Sequence, residues 1–223
     1  MQKDVKRLSL ILLFTPFALW ILLLIIIPHM GMVVLSLREK VAPRVYEYGL
    51  GNYIDFINEP IYWNTLLRTG SMSLLVTVLA LLIGFPIAYY IAKIAGNRTR
   101  GALFLLCLVP LWVSDLILFM IVPLVSTLDG MDNAMIEAGY NLGGSGPTVL
   151  RRIIIPYAMP GIVSGCIVVF MLTAGSYLTP ILLGGKNSSW FTEQIYDQFI
   201  TRFNWESGAA FGFLLLVFTS FVV

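Results

Sequence analysis

The chain has 223 residues, 58% of them hydrophobic and only 12% charged, with a mean hydropathy of +0.88 and a net charge of +2. A water-soluble domain carries roughly a quarter of its residues as charges, so this composition excludes an ordinary soluble globule and makes the bilayer the solvent for most of the chain. The small net charge, with no Lys/Arg-rich tract, gives no footing for a nucleic-acid partner.

Lys3, Lys6 and Arg7 precede the first apolar stretch, 8–37, which carries no formal charge but contains Pro16 and Pro28. It is far longer than the roughly 7–15 residues of a signal-peptide core, and a helical span needs about 20 apolar residues. It therefore reads as a first span with a kinked or frayed outer end. In the segment 38–68, charges mix with Tyr46, Tyr48, Tyr53, Tyr62 and Trp63, the aromatic content of a headgroup region. The stretch 69–92 is the cleanest span, with Gly84 and Pro86 breaking its regularity near the far end. A short basic segment, 93–100, follows with Lys93, Arg98 and Arg100. The apolar stretch 102–128 is interrupted once, by Asp115. The run 153–185 leads through Pro156 and Pro160 into a membrane helix expected at 161–183. A polar segment with Trp190 and Trp205 separates it from the last apolar run, 207–223. Cys107 and Cys166 fall inside apolar stretches and read as small buried hydrophobes rather than a disulfide. The fold class expected is all-α: one polytopic helical membrane domain, 1–223, with about five spans.

Dense positive charge in short segments marks the cytoplasmic side. The N-terminal tail and the segment 93–100 both qualify, and the two spans between them make the assignments agree, with the N-terminus cytoplasmic. Counting onward produces a conflict. At about 27 residues, 102–128 has room for one span and not for two with a turn. One span would put 129–152, with Arg151 and Arg152, outside the cell. Either 102–128 is a re-entrant hairpin, or sequence is missing near Asp115. The interfacial cluster Trp112-Val113-Ser114-Asp115 collides directly with a further apolar segment, which favours missing sequence. A lone intramembrane Asp115 can also be functional.

The most informative text is Glu137-Ala138-Gly139-Tyr140-Asn141-Leu142-Gly143, continuing to Arg151-Arg152-Ile153-Ile154-Ile155-Pro156. The spacing over 132–142 permits a helix with Met135, Ala138 and Leu142 on one face and Glu137 near the other. Gly143-Gly144 supplies the stop and a sharp turn, because glycine takes positive φ freely. A short amphipathic helix followed by a turn makes a rigid knob able to fill a groove in a partner. Ala138 and Gly143 permit close approach, and Arg151 and Arg152 can meet partner carboxylates or the headgroups. The plainer reading is a generic loop with a helix C-cap.

This stretch, 129–160, resembles the EAA loop of binding-protein-dependent ABC importer permeases: Glu-Ala-Ala, three residues, Gly, nine residues, Ile, one residue, Leu-Pro. Glu137, Ala138, Gly143, Ile153 and Pro156 fall on that spacing; Gly139 replaces the second Ala and Ile155 replaces Leu. Further text is similar to the spermidine/putrescine branch: Asn52-Tyr53, Gly84-Phe85-Pro86-Ile87-Ala88-Tyr89-Tyr90, 177–185, and Asn204-Trp205 before Gly208-Ala209-Ala210. The resemblance implies a type I importer transmembrane domain in the bacterial inner membrane, with six spans where about five are found here. Its loop would grip a separate ATPase that holds the ATP and Mg, with Glu137, Ala138, Gly139, Gly143, Arg151, Arg152, Ile153 and Pro156 as the coupling set. It also implies a second permease subunit, an extracytoplasmic solute-binding protein and lipid as partners, and polyamines as substrate. Tyr89, Trp112, Asp115, Tyr177 and Thr179 are candidate pathway groups, since aromatic faces and carboxylates suit a cationic amine. Packing or interface anchoring is the plainer role for the aromatics.

No catalytic residue, metal site or bound cofactor is expected. Gly144-Ser145-Gly146 and Gly184-Gly185-Lys186 lack the spacing of a phosphate-cradling loop, and His29 is the sole histidine. Two alternatives remain open. A secondary transporter would carry intramembrane charges beyond Asp115, and a non-transporting remnant would explain the span count.

Overall fold

The computed structural model describes residues 13–42, 45–108, 116–184 and 189–223. Its elements are α1 (Leu13–Ser36), strands β1 (Arg38–Ala42) and β2 (Val45–Tyr48), α2 (Gly51–Asn58), α3 (Pro60–Ile94), α4 (Asn97–Leu108) and α5 (Leu116–Asp129). After these come α6 (Asn133–Asn141), α7 (Gly146–Ala174), α8 (Leu178–Leu183), α9 (Phe191–Tyr196) and α10 (Trp205–Val222). Helices α1, α3, α7 and α10 are long and apolar enough to cross a bilayer; the pair α5–α6, bent by 72°, adds a fifth if counted as one span. The chain divides into two units, 1–67 with 177–222, and 68–176.

The first unit is organised by rings and long-range polar contacts. In the antiparallel hairpin Glu39 stands opposite Glu47, a like-charge pairing that weakens a ladder. The Glu39 carboxylate instead accepts from the Gly51 amide at the start of α2, where a negative charge meets unpaired N–H groups. Leu50, at the cap position, has no side-chain bond to offer. Asn52 Nδ2 donates to the carbonyls of Ser36 (3.0 Å) and Arg38 (2.7 Å), and its Oδ1 accepts from Ser207 (2.9 Å). The Tyr53 hydroxyl donates to Ser36 Oγ at 2.7 Å, and Arg38 pairs with the buried Glu206 at 3.4 Å. The end of α1 thus meets the start of α10, and the two helices run antiparallel. Below this layer Phe56, Phe191 and Phe211 are buried with Tyr62 against them, ring centroids 4.6–6.5 Å apart.

The second unit packs through small residues, the usual way helices approach closely in lipid. Ala80, Gly84 and Ala88 form the inward line of α3, and a Cβ on Gly84 would come within 2.9 Å of the Met120 side chain. Gly161 lies against Thr127 and the Pro123 carbonyl, and Gly165 against Met120, so α5 and α7 are antiparallel. Met120, Leu124, Leu128, Ala158 and Val169 fill the space between.

Three expectations need correction. The span read as 69–92 begins at Pro60, because the polar and aromatic turn ahead of residue 69 is held helical by Tyr62 packing on Phe211. The helix expected at 161–183 begins at Gly146, ends at Ala174 and breaks at Gly175 before α8. Proline normally ends a helix by clashing with the carbonyl four residues back. Here a wide turn, Leu150–Ile154, with Ile155 N bonded to Leu150 O, precedes Pro156 and relieves that clash.

The third correction concerns 102–128, expected as one span. Arg100 forms an ion pair with Asp129, yet 29 residues of continuous helix would hold them about 43 Å apart. Residues 100–129 are therefore not one straight helix. Helices α3 and α5 run parallel, since Gly84 meets Met120 and Lys93 meets Met131. The segment after α5 accordingly lies at the same end of this unit as the basic segment 93–100. A single straight span over 102–128 is excluded, and residues 109–115, where the sequence favours a missing segment, lie outside the described residues.

Candidate functional site

The EAA-like stretch folds as a short helix seated on the beginning of a long one. Asp132 caps α6, its Oδ1 accepting from Ala134 N at 2.9 Å. The helix stops where the glycines stand: Gly143 has φ +79°, Gly143 N bonds Tyr140 O at 2.9 Å, and Gly144 N bonds Gly139 O at 3.1 Å. This is the left-handed cap that glycine favours.

Ile136 and Gly139 face inward. A Cβ on Gly139 would meet Ile153 Cδ1 at 2.5 Å and Val149 Cγ2 at 3.2 Å, and one on Gly144 would meet the Gly139 carbonyl at 2.6 Å. Glycine in place of the pattern's second alanine is thus explained by contact: it lets α6 lie down on α7. The outward side carries Met135, Ala138 and Leu142, with Glu137 and Tyr140 alongside, all exposed; Leu142 is 89% exposed. Arg151 and Arg152 project from the wide turn of α7 and are exposed as well.

The eight coupling candidates therefore sort by structure. Glu137, Ala138, Gly143, Arg151, Arg152 and Pro156 are at the surface, whereas Gly139 is buried and Ile153 half-buried against it. Of the pathway candidates, Trp112 and Asp115 lie outside the described residues. Tyr89 is half-buried against the second unit's core. In the first unit, Tyr177 stacks on Tyr196 with centroids 4.4 Å apart, and Thr179 is exposed. Among the described residues, no group of three or more His, Cys, Asp or Glu side chains could hold a metal ion.

Sequence reasoning passed over Lys93, Arg100, Asp129 and Met131 as site residues. Lys93 Nζ donates to the Met131 carbonyl, and Arg100 pairs with Asp129. Partners 38 and 29 residues apart leave no trace in local spacing.

A polytopic helical chain with this knob belongs to a known class. Residues 3–223 match the family described as binding-protein-dependent transport system inner membrane component, and the chain belongs to that family. It is a multi-pass inner-membrane permease subunit rather than an enzyme.

Particular relatives sharpen the placement. The spermidine/putrescine transport system permease protein PotB of Escherichia coli (strain K12) is 26% identical over 247 residues, covering 89% of each chain. PotB of Haemophilus influenzae (strain ATCC 51907 / DSM 11121 / KW20 / Rd) is 25% identical over 253 residues, covering 92% of this chain and 88% of the relative. Among solved structures, a bacterial alginate ABC transporter in complex with alginate pentasaccharide-bound periplasmic protein aligns with TM-score 0.66. It is 16% identical, and the match covers 99% of this chain and 95% of that one, a likeness of fold. Both PotB alignments are longer than the chain. Since 89% of 223 residues is about 198, about 49 of the 247 aligned positions have no residue here.

Proposed function

We propose that this chain forms part of the translocation pathway of an ATP-driven importer and receives its ATPase on the outward face of α6. The carrying observation is the α6 surface itself: rigidly seated through Gly139 and Gly144, yet presenting Met135, Ala138 and Leu142 to nothing within its unit. An apolar strip flanked by Glu137, Arg151 and Arg152 suits a groove with charged rims. The basic segment 93–100 at the same end supports a cytoplasmic position for this surface and for the N-terminus. On this reading two ATPase subunits hold ATP and Mg, a second permease completes the pathway, and a solute-binding protein delivers substrate from outside. Closure of the ATPases moves α6 and α7 as one body, driving alternating access. The PotB relatives support a polyamine as substrate, with Tyr89, Tyr177 and Thr179, and Trp112 and Asp115 beyond the described residues, as pathway groups.

The test is co-purification. Leu142→Asp should release the ATPase by about tenfold or more, the weight of one buried leucine, while leaving the melting temperature of the isolated subunit unchanged. Undiminished co-purification would refute docking at this face.

A second reading, a non-transporting remnant, is favoured by one observation: about 49 aligned positions are absent. We place that deficit between α4 and α5. The parallel course of α3 and α5 leaves the loop at the end of the basic segment in spite of it, which supports retained coupling. Uptake of labelled spermidine by cells lacking their own permease decides between the two; none at all, with the ATPase bound, favours the remnant.

A further inference from the structure

The α5–α6 bend raises a mechanical question. A surface that passes a push to the spans must be stiff where it joins them, and a bend of 72° between two helices is a compliant point. Two basic residues, one at the end of α3 and one in the first turn of α4, meet that bend from outside it. Lys93 lies in the wide turn Tyr90–Ile94 that ends α3. Ala88 and Ile91 are buried on the inward face just above. The turn is closed by an i→i+5 bond, Ala95 N to Tyr90 O at 2.9 Å. Lys93 Nζ donates to the Met131 carbonyl. Met131 sits in the bend, its side chain buried in the core, and its amide bonds Leu128 O at 3.1 Å. An ammonium group suits the carbonyl-rich end of α5. Arg100 pairs with Asp129, the last residue of that helix, and Asp132 caps the next one.

We infer that Lys93, assisted by Arg100, is a positioning residue that fixes the α5–α6 elbow and so the direction in which α6 presents its outward face. The basic segment then has a mechanical role as well as an orienting one. Only the transport consequence rests on the docking reading above; the latch itself does not.

The test uses the full chain in lipid nanodiscs, with Cys107 and Cys166 replaced by Ser and spin labels at A134C and M159C, two exposed positions of α6 and α7. Lys93→Met should broaden and shift the inter-label distance distribution, and Lys93→Arg, which still offers a donor to the carbonyl, should restore it. Arg100→Met should broaden it less. In the assembled importer Lys93→Met should lower spermidine uptake about tenfold, as loss of a charged hydrogen bond at a mechanical joint predicts, while the ATPase still co-purifies and Lys93→Arg transports. An unchanged distribution in Lys93→Met overturns the latch, whether or not α6 binds an ATPase. A broadened distribution with full uptake overturns the mechanical role. Retained ATPase in Leu142→Asp sinks the docking reading separately and leaves the distance measurement standing.

Discussion

The two units solve the problem of cohesion in lipid differently. The first is held by rings and by hydrogen bonds between residues far apart in the chain: Phe56, Tyr62, Phe191 and Phe211, and the set Ser36, Arg38, Asn52, Glu206 and Ser207. The second is held by glycines and alanines that let helices touch, at Gly84, Gly161 and Gly165, with Lys93 and Arg100 bonded at its elbow. Rings and buried ion pairs define one geometry and resist change. Smooth close contacts let helices move as bodies, and stiffness is then needed only at the joint. That contrast fits a scaffold and a transmission element.

Substitutions can break the contrast, and the largest effect should come from the ring cluster. Phe211→Ala removes a fully buried ring and should cost about 3–5 kcal/mol, read as a lower melting temperature in detergent. Gly161→Ala should cost about 1–3 kcal/mol, because its Cβ would stand 2.7 Å from the Pro123 carbonyl, a backbone atom that cannot swing aside. Arg38→Met leaves the Glu206 carboxylate buried without its charge partner. About 1–3 kcal/mol is expected, since Arg38 itself is only partly buried, and Glu206→Gln in the same chain should recover much of it. The smallest effect has the opposite sign. Phe203 holds φ +50° where the chain leaves the turn after α9, a place suited to glycine. Phe203→Gly should therefore stabilise, by up to about 1 kcal/mol.

The helical class and four of the five expected spans were legible because a charge-free run of about 20 residues has few other uses. Boundaries were less so. Residues 60–68 and 146–160 read as loop from their polar groups, aromatics and prolines, whereas Tyr62 on Phe211 and the wide turn before Pro156 keep them helical. The turn at Gly143 was legible because positive φ is a local property. Gly139 was visible only as a departure from a pattern, and its reason, Ile153 and Val149 pressed against it, belongs to packing. The elbow had no local signature. Lys93 and Arg100 read from sequence only as basic charge marking the cytoplasmic side, and contacts 38 and 29 residues long in sequence are set by tertiary packing.

The parallel course of α3 and α5 brings the α6 surface and the basic segment to one end of the second unit, and thiol labelling tests whether they share a side of the membrane. Single cysteines at Gly96→Cys and Ser145→Cys, in a chain lacking Cys107 and Cys166, are treated with a membrane-impermeant maleimide in right-side-out and inverted vesicles. Both should label from the same side, the cytoplasmic one. Labelling of the two positions from opposite sides would contradict that parallel course, and with it the proposed ATPase surface.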